Sequence, residues 1–110
     1  MVSPVLSAQE VRVTDDGDLQ KGMYFYVLVE VDDDGTESFV NTLQVYAGHK
    51  GNSIHLFWNP VKGKPYYRLY RGSCFDLFDG YFSVYGDDGY FCDNGIGILN
   101  TKNLTPYAIN

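Results

Sequence analysis

Nine residues, Met23-Tyr-Phe-Tyr-Val-Leu-Val-Glu-Val31, constrain the fold of this chain more than any other stretch. Aromatic and β-branched side chains crowd it, and both fit a pleated, half-buried strand better than a helix. Asp32-Asp-Asp-Gly35 follows, and then a second run ending Leu43-Gln-Val-Tyr46. An Asp-Gly step between two such runs supplies the positive φ of a tight turn, so a long β-hairpin is predicted from Met23 to Tyr46. Alternation assigns Met23, Phe25, Val27, Val29 and Val31 to one face of its first strand and Tyr24, Tyr26 and Leu28 to the other. Both faces are apolar. A sandwich strand ordinarily turns one face to water. The second face therefore needs a cover, either a segment of this chain (Val2 to Leu6 or the C-terminal tail) or another molecule.

The rest of the chain repeats the same grammar. Gln9 to Val13 reads as a first strand, which Asp15-Asp-Gly-Asp18 is expected to turn into the hairpin. A polar link, Gly48 to Asn52, leads to Ser53-Ile-His-Leu-Phe-Trp58, where Ile54, Leu56 and Trp58 alternate with Ser53, His55 and Phe57. That is the period of a half-buried strand. A proline-bounded loop, Asn59 to Pro65, precedes Tyr66 to Arg71, a strand that Gly72 closes. Tyr67 and Leu69 are expected to face in, Arg68 and Tyr70 out. Short strands are expected at Phe75 to Phe82, Ser83 to Tyr85 and Tyr90 to Cys92, with turns at Asp79-Gly80 and Asp88-Gly89. The tail from Asn94 to Asn110 reads as an extended finish. About seven strands at short intervals indicate an all-β, antiparallel sandwich. Residues 1–110 form one domain in this reading, with its core over about residues 10–95.

Composition narrows the function classes. With 8 Lys and Arg against 14 Asp and Glu, the net charge of −6 repels nucleic-acid phosphates and anionic lipid surfaces. Neither a nucleic-acid partner nor a membrane is expected. The first 19 residues show no basic region followed by an apolar stretch of signal-peptide length, and no run approaches a membrane span. Cys74 and Cys92 are expected to stay free thiols on that ground. Asn103-Leu-Thr105 matches a glycosylation acceptor that would then be inert.

No residues are assigned to catalysis, a cofactor or a metal. The acidic turn Asp32 to Gly35 with Glu37 lacks the alternating ligand spacing of a calcium loop. His49 and His55 lack zinc-site spacing and read as surface residues. No nucleophile with a base, paired carboxylates or phosphate loop stands out, so a non-enzyme is expected. The candidate partner-contact surface is Met23, Phe25, Val27, Val29, Tyr66 and Tyr70. Trp58, Tyr67 and Tyr24 read as core aromatics. Phe57, Tyr81, Tyr85 and Tyr90 keep a carbohydrate or cell-surface binding module as the alternative.

Three segments carry a family resemblance. Leu19-Gln-Lys-Gly-Met-Tyr-Phe-Tyr-Val-Leu-Val-Glu-Val-Asp32 with the following Asp-Asp-Gly-Thr-Glu-Ser38, then Ile54 to Val61 with its tryptophan and Pro-Val, then Tyr67-Arg-Leu-Tyr-Arg-Gly72 together resemble a fibronectin type III-like repeat of bacteriophage virion proteins. The resemblance covers about residues 10–95. Glu30 stands where the family has a small residue, and Cys92-Asp-Asn-Gly95 where it has Thr-Asp-Thr-Gly. The tyrosine hairpin precedes the tryptophan strand, which resembles the family's circularly permuted arrangement. The resemblance implies an Ig-like sandwich and a non-enzymatic virion structural protein. It would be a capsid decoration or cement protein, or a tail or neck accessory, assembled in the host cytoplasm. Other virion proteins, capsid or tail, are the implied partners, and a homo-oligomer is a further one.

Overall fold

The computed structural model describes residues 9–60, 63, 66–74, 77–86 and 88–95. Val2 to Leu6, Phe75, the Asn103 acceptor and the tail beyond Gly95 lie outside the described residues. Seven strands run through these: β1 (Gln9–Leu19), β2 (Gly22–Val31), β3 (Glu37–Ala47), β4 (Asn52–Trp58), β5 (Tyr66–Cys74), β6 (Leu77–Tyr85) and β7 (Tyr90–Asp93). β1, β4 and β7 form a three-stranded sheet with β4 central, while β3, β2, β5 and β6 pair in that order in a second sheet. All pairings are antiparallel. The chain is an all-β sandwich. Among the described residues, no helix is long and apolar enough to cross a membrane.

The predicted hairpin is β2 and β3. In its turn the Asp32 amide donates to the Thr36 carbonyl at 2.9 Å and the Gly35 amide to the Asp32 carbonyl at 2.9 Å. Gly35 sits at φ 86°, where a Cβ would be strained. Leu28 faces Asn41 but Val29 faces Phe39, so Val40 is an extra residue. Such a bulge reverses the facing of everything beyond it.

Alternate residues of both sheets meet between them. Tyr26 and Leu28 from β2, Ile54, Leu56 and Trp58 from β4, Tyr67 and Leu69 from β5, and Phe82 and Val84 from β6 form one buried cluster. Trp58 meets Tyr67 edge-on, with ring centroids 5.7 Å apart. Tyr67 and Leu69 face in and Arg68 and Tyr70 lie on the opposite side, as alternation predicts.

Two turn expectations are corrected. Asp15 to Asp18 is not a turn into the hairpin: β1 continues to Leu19, pairs with β4 and belongs to the other sheet. The Gly17 amide donates to the Gly51 carbonyl and the Asp18 amide to the Asn94 carbonyl, so the backbone there is already paired across the sheet. The crossing to β2 is held by Tyr24, whose hydroxyl donates to the Gln20 carbonyl at 2.7 Å. Asp79-Gly80 is likewise no turn. β6 is a single strand: Gly80 lies opposite Arg71 and Phe78 opposite Gly72, so Asp79 is an extra residue that the ladder takes up as a bulge.

Arg71 faces inward between the sheets. Its Nη1 reaches both oxygens of Asp93, at 2.9 and 2.8 Å. The Tyr26 hydroxyl donates to the same carboxylate at 2.7 Å, and the Gly95 amide to it at 3.2 Å. The guanidinium lies over the rings of Tyr24 and Phe82, 5.8 and 5.4 Å from their centroids. A buried carboxylate with this many donors is compensated. It ties β2 and β5 of one sheet to β7 of the other.

Candidate functional site: the outer face of the four-stranded sheet

The side of β2 turned away from the sandwich core carries a second apolar cluster. Val27, Val29 and Val31 pack there with Tyr70 of β5 and Phe78 of β6, and all five are buried. Tyr66 and Tyr81 flank them. The face opens only toward its margins. Met23 and its cross-strand partner Tyr46 are 40% and 52% exposed, Phe39 opposite Val29 is 48% exposed, and Tyr85 opposite Tyr66 is 73% exposed. Of the six residues expected to contact a partner, Val27, Val29 and Tyr70 are buried inside this chain. Phe25 and Tyr66 are half-buried, and Met23 is exposed. An approaching molecule meets Met23, Tyr46, Phe39 and Tyr85 first. Tyr46 was legible from hairpin register; Phe39 was not, because the Val40 bulge turns it outward.

One end of this face is polar. Glu37, at the start of β3, accepts from Arg68 Nη1 at 2.7 Å and from the Tyr70 hydroxyl at 2.6 Å. Its side chain is 5% exposed and that of Arg68 25%. Burial and the bond to Glu37 push the Tyr70 phenol well above the ordinary tyrosine range. Burial and the Asp93 charge do the same to Tyr26 between the sheets. Both native phenols therefore stay protonated where unfolded phenols ionise, at about pH 10. This contribution to stability is fully present below that pH and is lost as pH rises toward the native values. Each group is expected to contribute about −1.4 kcal/mol of stability per pH unit in that window. Urea unfolding between about pH 9 and 11.5 checks this: the slope should shrink in Tyr26→Phe and again in the double variant with Tyr70→Phe.

The outer face of the three-stranded sheet gathers a different set. His55 Nε2 lies 2.9 Å from Thr14 Oγ1 and 4.0 Å from Cys92 Sγ, while Nδ1 lies 2.8 Å from the Tyr90 hydroxyl. Register explains the meeting, since Arg12, His55 and Cys92 lie opposite one another on β1, β4 and β7. Sequence spacing gave no sign of it. The Thr14 hydroxyl donates its single proton to Asp16 at 2.6 Å, so it accepts from Nε2–H. Nε2 is then unable to take a proton from the thiol. Burial pushes the Cys92 thiol up, which is the reverse of what a nucleophile needs. Cys92 is a free thiol; the Cys74 side chain lies outside the described residues. At pH 8, iodoacetamide is expected to alkylate Cys92 at least about tenfold more slowly than free cysteine, read by mass spectrometry. Among the described residues, no three His, Cys, Asp or Glu side chains are grouped to hold a metal ion.

No family model matches the chain, and no curated protein matches it. His49 is exposed and paired with Asp15 at 3.1 Å, a surface role. Phe57 and Tyr90 stand 4.9 Å apart on the three-stranded sheet, whereas Tyr81 and Tyr85 belong to the other sheet, so the four aromatics of the carbohydrate alternative divide between two faces.

Proposed function

We propose that this chain is a non-enzymatic virion structural protein, a permuted fibronectin type III-like module that decorates a capsid or joins tail or neck components by protein contacts. The observation that carries this reading is the apolar margin of the four-stranded sheet, where Met23, Tyr46, Phe39 and Tyr85 stand exposed around a buried centre. Clustered exposed apolar side chains mark association surfaces. The Tyr24 bond to Gln20 has the form of the tyrosine corner of Ig-like sandwiches and falls on the tyrosine of the resembling motif. The three-plus-four division of strands, with Trp58 on the central strand of the smaller sheet, is compatible with the same reading.

The test is made on particles. The chain is expected to co-purify with intact virions and to appear by electron cryomicroscopy on the head, neck or tail, with the Met23 and Tyr46 side against its neighbour. A Met23→Lys and Tyr46→Lys double variant should keep its melting temperature and lose at least about tenfold in occupancy, since each charge is left in an apolar contact. Particles that lack the chain, or that bind the double variant normally, would sink the proposal.

A further inference from the structure

An open concavity of about 600 Å3 lies at the polar end of the same sheet face, between the turn from Asp32 to Gly35 and the start of β5. Its volume falls within the range of roughly 300–1,000 Å3 common for small-molecule sites. Val31, Tyr66 and Arg68 line it together with the turn residues and Gly63. Tyr66 is held upright, because its ring stacks on Tyr85 at 4.7 Å and 7°.

Arg68 is held as firmly. Nη1 donates to Glu37 at 2.7 Å and Nε to the Tyr66 hydroxyl at 3.3 Å. The guanidinium lies over the Tyr66 and Tyr81 rings, 5.7 and 5.0 Å from their centroids. Those two bonds use two of the five N–H groups that a guanidinium carries. The remaining donors belong to an immobilised group at the edge of an open concavity, and a preorganised donor of this kind costs little to engage.

We infer that this concavity is a binding site for a neutral saccharide, at the other end of β2 from Met23 and Tyr46, the pair tested for protein contact. An apolar guest would strip water from the Arg68 donors and give no acceptor in return. An anionic guest would meet the exposed Asp33 carboxylate on the turn, in a chain of net charge −6, a like-charge approach. A pyranose ring answers each requirement. Its hydroxyls accept from Arg68 and donate to the exposed Asp33 carboxylate, and its C–H face suits the Tyr66 ring. The turn sets the acidity and Arg68 sets the position. The class of ligand follows from the two together with the aromatic wall.

The probe is a panel of neutral hexose and N-acetylhexosamine oligosaccharides with uronic-acid counterparts, titrated against the full chain by calorimetry and saturation-transfer NMR. Saturable binding of a neutral member is expected at about millimolar Kd or tighter, with the uronic-acid forms at least about tenfold weaker. Arg68→Gln and Asp33→Ala should each weaken it by about tenfold or more. Tyr90→Ala, on the opposite sheet, should leave it unchanged. Asp33 is on an exposed turn, so Asp33→Ala keeps the test valid if Arg68→Gln fails to fold. No saturable binding by about 10 mM, a preference for uronic acids, equal binding by Asp33→Ala, or saturation only by a lysine- or arginine-rich peptide would each overturn the assignment. Loss of sugar binding would leave particle incorporation untouched, so the two proposals fail separately.

Discussion

Asp93→Ala is expected to destabilise the sandwich by about 3–5 kcal/mol, the usual cost of leaving a buried charge without its partner. The Asp93 side chain is 0% exposed and that of Arg71 18%. Removal of the carboxylate strands the guanidinium between the sheets and orphans the Tyr26 hydroxyl as well. It also releases the Gly95 amide, and with it one hold on the segment after β7. A triple replacement, Arg71→Met, Asp93→Leu and Tyr26→Phe, removes the charges together and is expected to lie within about 2 kcal/mol of the parent. Urea unfolding of the single and triple variants separates the two effects. A loss below about 1 kcal/mol in Asp93→Ala would mean that solvent reaches the pair and that it does not join the sheets.

Gly89→Ala is expected to cost about 2–5 kcal/mol from two sources. Gly89 has φ 67°, a left-handed conformation that costs an L-residue about 1–2 kcal/mol. A Cβ would also collide with the Trp58 carbonyl oxygen and approach Pro60 Cδ at 3.0 Å, an overpacking of about 1–3 kcal/mol. The Trp58 amide donates to the Gly89 carbonyl at 2.9 Å, so a shift there loosens the end of the β4 and β7 pairing that seats the core tryptophan. Gly89→Asn separates the terms, since asparagine tolerates positive φ but carries the same Cβ. It should recover no more than about 1 kcal/mol. Full recovery by asparagine would show that backbone conformation, not crowding at Trp58, is the constraint.

The two residues differ in how visible they were. Asp88-Gly89 announces itself, because an Asp-Gly step favours a turn with the glycine at positive φ, and Gly89 adopts it. Asp93 does not. It looks like another acid in an acidic chain, and Arg71 like the last residue before a closing glycine. Their meeting depends on both strands being placed in opposite sheets with the two side chains turned inward. The same holds for His55 and Cys92, which register alone brings side by side, and for Arg68 and Glu37, which meet at 2.7 Å from strands that both pair with β2.

Local chemistry determined most of the elements. Period-two alternation settled which residues of β4 and β5 enter the core, and Asp-Gly at Asp34-Gly35 settled the hairpin, because facing and turn conformation are decided within a few residues. The same local rule misread Asp15 to Asp18 and Asp79-Gly80, where backbone groups find partners on another strand and the acidic stretch continues a ladder instead of ending it. Only the tertiary structure decided which sheet each strand joins, that Val40 bulges and turns Phe39 outward, and that Val27, Val29 and Tyr70 are buried. Those outcomes rest on contacts between residues distant in the chain, and alternation carries no information about what lies across from a strand.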